Sequence, residues 1–243
     1  MKTKSSVLAS LMTCSLLAAP AVHAGDDGPV KSASVDLNGD GKPEAISIEW
    51  DEAKDQFILK AGTATIRGAT DGNEPAGFTV VDIDSGDKRK EVAVGTGQTD
   101  YDKQQHLFAF DGKAFKALGS VPALTEARGN GIILSDSWQG FWNRRDKFTL
   151  DAKAGKVTEV PQEMYAVGVE ATVKQSFPLA RSRTEKTPVA TLAQGSKIQV
   201  FAAAPVGKKG GGYLYLVKSS TGLLGWASEK DLMEKTEGLP LAG

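Results

Sequence analysis

The 243-residue chain carries 29 Lys and Arg against 30 Asp and Glu, with two histidines and one cysteine. That balance leaves no basic footprint for nucleic acid. One cysteine excludes a disulfide framework, and two histidines beside it are too few ligands for a zinc site built mainly from His and Cys.

Residues 1–24 read as a secretory leader. Lys2 and Lys4 precede the apolar run VLASLMTCSLLAAPAV, which ends in VHA and meets the polar GDDG. Cleavage after Ala24 removes Cys14 and His23, which leaves His106, no thiol and no route to a cysteine peptidase. Thr13 before Cys14 and the apolar residues after it argue against a lipid anchor. The run is too short to span a bilayer, and no later one approaches the roughly twenty apolar residues that spanning needs. A soluble protein of the periplasm or the exterior, not membrane-spanning, is expected. At the far end LPLAG, with no apolar segment or basic tail after it, reads as a frayed terminus rather than a sortase signal.

Without Lys2 and Lys4, 27 basic side chains face 30 acidic ones, a net charge of −3. The charge is divided unevenly: residues 25–165 hold 17 basic and 24 acidic side chains, whereas 166–243 hold 10 and 6. Two bodies of opposite sign are expected, over 25–165 and 166–235, with a flexible tail at 236–243. Both read as all-β. AISIEW puts Ile46, Ile48 and Trp50 on one strand face, and FTVVDI, EVAVGT, HLFAFDG, KFTLDA, KIQVFAAA and YLYLVKSS share that character. Turn signals separate them, such as Asp111-Gly112 and Ala154-Gly155.

In the first body ASVDLNGDGKPEAISI is echoed by TVVDIDSGDKRKEVAV, each a strand, an acidic loop ending in Glu, and a strand. Asp36, Asn38, Asp40 and Glu44 offer alternating oxygens between glycines, with the Lys42 carbonyl as a further ligand, as calcium demands. The same residues also suit a metal-free turn, with Asp36 and Asn38 in Asx-turns and Gly39 and Gly41 at positive φ. In the second loop Asp82, Asp84, Asp87 and Glu91 are the corresponding residues. An insertion between Asp84 and Asp87 and the cations Lys88, Arg89 and Lys90 favour the turn there. VDLNGDGKPE and VVDIDSGDKRKEVAV resemble FG-GAP or VCBS repeats of integrin-like extracellular proteins, and FAFDGKAFKALG looks like the hairpin that follows in them. The resemblance covers about residues 30–160 and implies a partial, propeller-like or blade-like β domain with calcium between strands.

The second body runs through PLARS, AQGSKIQV, YLYLVKS and GLLGWASEKDL. Over about residues 168–233 this order resembles the bacterial SH3-like domain, a small β-barrel. That resemblance implies binding to peptidoglycan or a wall peptide, and a cationic module attracts anionic polymers or carboxylates in agreement with it. Arg181, Arg183, Tyr213, Tyr215 and Trp226 are candidates for an exposed groove, with rings for stacking and guanidinium for carboxylates. Lys208 and Lys209 read as a loop tip.

The expected function is a non-catalytic envelope-binding protein. One alternative is an accessory role, with an envelope protein docking on SWQGFW through Trp138, Phe141 and Trp142. Another is a wall hydrolase using paired carboxylates, for which Asp100, Asp102 and Asp136 are the candidates.

Overall fold

A computed structural model describes residues 28–99, 102–151, 153–207 and 211–241. The leader over 1–24, with Cys14 and His23, lies outside the described residues, as do Asp100, Lys208, Lys209 and the last two residues of LPLAG.

The chain is all-β. Three four-stranded antiparallel sheets come first, each a simple meander. The first holds β1 (Ser32–Val35), β2 (Glu44–Asp51), β3 (Gln56–Ala61) and β4 (Ala64–Ala69). The second holds β5 (Phe78–Val81), β6 (Glu91–Thr96), β7 (Gln104–Phe110) and β8 (Phe115–Val121). The third holds β9 (Glu126–Ala127), β10 (Ile132–Trp138), β11 (Asn143–Asp151) and β12 (Lys156–Val160).

Period-two patterning explains how these sheets stack. In β2, Ile46 and Ile48 point inward while Ala45 and Glu49 face solvent, and Trp50 follows them at half burial. β6 reads EVAVGT without polar alternation because both its faces are covered. Val92 and Val94 join Phe57, Leu59 and Phe108 in a core against the first sheet, and Ala93 joins Leu107, Ile133 and Phe148 in a core against the third. The middle sheet is thus packed on both sides. Each fully buried aromatic such as Phe57 contributes on the order of 2–3 kcal/mol over exposure. Gly68 is required beside that ring, since a Cβ there would collide with Phe57 Cζ.

The remaining strands form one seven-stranded sheet. They are β13 (Tyr165–Val173), β14 (Phe177–Ala180), β15 (Pro188–Leu192), β16 (Lys197–Pro205), β17 (Tyr213–Lys218), β18 (Leu224–Ser228) and β19 (Thr236–Glu237). Their order is β15-β14-β18-β17-β16-β13-β19, open from edge to edge, and no sheet of the described residues closes into a barrel. Bulges in β13 and β16 bend the sheet over its own core. The helix α1 (Glu229–Lys235) starts at Ser228, whose hydroxyl accepts the Asp231 amide at 3.1 Å, and buries Leu232. The segment expected as a free tail from residue 236 instead begins with β19 on the edge of β13. Thr236 is buried there and donates to the Leu232 carbonyl at 2.6 Å.

The chain changes sheet between Val160 and Tyr165, but the core does not stop there. Phe141 and Trp142 lie between β10 and β11, yet they pack among Tyr165, Phe177, Leu179, Val200 and Tyr215 of the C-terminal sheet. The surface expected from SWQGFW is therefore corrected: Phe141 is fully buried and Trp142 is 2% exposed, so neither ring faces a partner. Trp138 is half-buried.

Candidate functional site

The two acidic loops fold as equivalent turns. Leu37 and Ile83 are fully buried, and the amide of each donates to the glutamate that opens the next strand: Leu37 to Glu44 Oε2 at 2.8 Å, Ile83 to Glu91 Oε2 at 3.0 Å. Within the turns, Asp40 Oδ1 accepts the Lys42 amide at 2.8 Å and Asp87 Oδ1 accepts the Arg89 amide at 2.9 Å. Successive turns are also tied to one another. The Lys90 amide donates to the Leu37 carbonyl at 2.9 Å, and the Gly131 amide donates to the Ile83 carbonyl at 2.7 Å. Gly39, at φ +77°, lies against this seam, where a Cβ would stand 2.8 Å from the Lys88 carbonyl.

The first loop meets the expectation of converging oxygens. Ligand atoms of Asp36, Asp40 and Glu44 all lie within 4.8 Å of one another. They also serve the backbone: Asp36 accepts the Gly39 and Gly41 amides at 2.8 Å each, and Asn38 accepts the Asp40 amide at 2.8 Å while donating to Glu44 at 2.9 Å. A carboxylate oxygen has two lone-pair directions, so these bonds orient the cradle without exhausting it.

The second loop differs. Among the described residues Asp82, Asp84, Asp87 and Glu91 form no such grouping. Glu91 is 3% exposed and burial pushes its carboxyl up to about 7, with Asp87 and Asp82 adding repulsion. Burial likewise raises Asp82, whose Oδ1 is buried with no hydrogen-bond partner. Burial and mutual repulsion of these carboxylates make the second loop a seam that favours protons.

In the C-terminal sheet the expected groove residues separate. Tyr215 is corrected outright: it is fully buried and its hydroxyl accepts Trp142 Nε1 at 3.2 Å, so it lines no open groove. Tyr213 shares its strand face and is half-buried, with its hydroxyl 3.3 Å from Arg144 Nη1. Trp226 pairs across the ladder with Leu216, one residue out of phase with Tyr215, and so stands on the opposite face. There the Arg183 guanidinium lies over its ring at 5.9 Å. Arg181 is exposed and paired with Glu185 at 3.3 Å.

The outer face carries more than the sequence suggested. Lys218 lies over the Phe201 ring at 5.7 Å, and Phe201, Val189 and Leu224 are all exposed. Register joins two of these residues, since Lys218 pairs with Leu224 across the β17-β18 ladder, on the face that also carries Trp226. Phe201 alternates with the buried Ile198 and Val200 and stands at the bulge between Val200 and Ala202. The result is an aromatic and apolar strip with a cation at each of two rings.

Of the carboxylates considered for hydrolysis, the two among the described residues, Asp102 and Asp136, are occupied. Asp102 accepts the Gln98 amide and the Thr99 amide and hydroxyl, and the Thr99 hydroxyl and amide hold it below the usual carboxylate range. Asp136 receives both nitrogens of a fork from Arg145 at 2.7 Å. His106 is half-buried against Phe57, 3.0 Å from the Thr96 hydroxyl, and burial lowers its pKa. In comparisons with known proteins no family model, no curated protein and no solved structure matches this chain.

Proposed function

We propose that this chain is an exported, non-catalytic cell-envelope protein that adheres to peptidoglycan or a wall peptide through the outer face of its C-terminal sheet. The observation that carries the reading is the pair of cation–aromatic couples, Arg183 over Trp226 and Lys218 over Phe201, on one exposed strip. Stacked rings supply contact area at low entropic cost, and the cations select carboxylate-bearing or anionic polymers. The leader-like residues 1–24 support export. The three four-stranded meanders support a blade-like, partly built propeller arrangement for the first body, and the bent C-terminal sheet supports an SH3-like reading for the second.

The test uses residues 25–243 in sedimentation with isolated peptidoglycan at low salt. Wild-type protein is expected in the pellet, and Trp226→Ala and Arg183→Ala are each expected to weaken retention by about tenfold. Retention should fall with added salt, because the exposed cations are screened. Wild-type protein left in the supernatant, or variants retained like wild type, would end the reading.

A second reading concerns the first loop, and the convergence of Asp36, Asp40 and Glu44 within 4.8 Å favours it. We infer that this loop takes a calcium ion, with Asn38 and the Lys42 carbonyl completing the oxygen set. Calorimetric titration of the chelator-treated protein is expected to show one saturable event, lost in Asp40→Asn. A flat titration would leave the loop as a turn alone.

A further inference from the structure

The third sheet carries a second tryptophan that the C-terminal core does not claim. Trp50 and Trp142 anchor their indole N–H groups on Thr70 and Tyr215. Trp138 is half-buried, stands in none of the three hydrophobic cores of the described residues, and its Nε1 is buried without a hydrogen-bond partner. Neither core packing nor a hydrogen bond therefore accounts for this ring. It borders an open cleft of about 340 Å³ together with Asp136 and Asn143, and Pro122 and Lys103 border the same space. That volume lies within the range of small-molecule sites, roughly 300–1,000 Å³.

Ladder geometry sets the size of the platform. Trp138 pairs with Asn143, and Asp136 with Arg145, across β10 and β11. Residues two apart along a strand share a face, so these four side chains stand on one side of the sheet. They mark out a rectangle of about 5 Å across the strands and about 7 Å along them. A six-membered sugar ring has a footprint of that order.

The polar groups match as well. Asp136 is fixed by a two-bond fork from Arg145, at 2.7 Å in each bond, and each of its oxygens keeps a lone pair. Asn143 is exposed, and its carboxamide, bonded to nothing among the described residues, offers both a donor and an acceptor. A hydroxyl likewise donates and accepts, so neighbouring hydroxyls of one ring answer both groups. Beside them the indole supplies a flat apolar wall, which suits the C–H face of a pyranose whose hydroxyls are all equatorial.

We propose that this platform binds a saccharide of gluco-configured pyranose rings, with Trp138 against the C–H face and Asp136 and Asn143 taking the hydroxyls. It stands on the third sheet, apart from the strip that carries Trp226, and goes beyond the adhesion proposed for that strip.

The experiment follows the indole N–H signals of isotope-labelled residues 25–243 by NMR during titration with cellotetraose and with chitotetraose. Sorbitol, an open-chain polyol without a ring face, is titrated beside them. One indole signal is expected to shift saturably with at least one of the two oligomers and not with sorbitol, and it is the signal missing from Trp138→Phe. Asn143→Ala, at an exposed position, is expected to weaken binding by about fivefold. No saturable shift with either oligomer, an equal shift with sorbitol, a shift confined to another indole such as that of Trp226, or full-strength binding by Asn143→Ala would overturn the proposal. The comparison of oligomer with sorbitol uses wild-type protein and stands whether or not a variant folds.

Discussion

Trp142→Ala is expected to destabilise the whole protein by about 3–5 kcal/mol, the cost of deleting a buried aromatic whose site cannot collapse. Trp142 is 2% exposed and packed among Tyr165, Tyr213 and Tyr215. Its Nε1 donates to the Tyr215 hydroxyl at 3.2 Å, so the substitution leaves both a cavity and a buried hydroxyl without its donor. Phe141→Ala should behave similarly, because that ring is fully buried 5.2 Å from Tyr215. Both side chains enter the C-terminal core from the third sheet. Residues 166–243 alone are therefore expected to lack a complete core and to show no cooperative melting. Urea unfolding of the two variants and of the fragment checks this. A loss under about 1 kcal/mol in both variants, or a fragment that melts as sharply as the full chain, would show that the halves do not share a core.

The second large effect is pH dependence at the turn seam. Glu91 has its carboxyl raised from an ordinary 4.5 to about 7, first by burial. Below pH 4.5 the side chain is protonated in both the folded and unfolded states and costs nothing. Between 4.5 and 7 the unfolded chain releases a proton that the fold retains, so stability falls as pH rises, and above 7 the full penalty applies. The span corresponds to about 3 kcal/mol. Asp82, raised by burial on the same seam, acts with the same sign. Glu91→Gln keeps an acceptor for the Ile83 amide and removes the charge. It is expected to stabilise the chelator-treated protein by about 1–3 kcal/mol at pH 8 and to do little at pH 4. Urea midpoints at the two pH values decide it, and a variant with the wild-type pH slope would place the buried charge elsewhere.

Much of the architecture was legible because strands announce themselves by alternation. AISIEW, EVAVGT, HLFAFDG and YLYLVKSS all stand as strands, and the hairpins at Asp111 and Asp151 use aspartates that accept the amides two and three residues on. The echo between the two acidic loops was also visible, and their glutamates do play matching parts. The third meander was not, since β9 has two residues and no acidic loop precedes β10. SEKDL gave no strand, because Ser228 caps a helix there.

What the sequence determined by itself was local: β character, the positions of turns and the uneven charge of the two halves. Tertiary structure alone decided which aromatic residues are core and which are surface. Tyr213, Tyr215 and Trp226 look alike as letters, yet ladder phase puts the two tyrosines on one face, where one is buried and the other half-buried, and sends Trp226 to the opposite face. Phe141 and Trp142 are removed from the surface by a sheet that begins more than twenty residues later. Alternation fixes that neighbouring side chains face opposite ways, but which face is covered depends on the distant strand that packs against it.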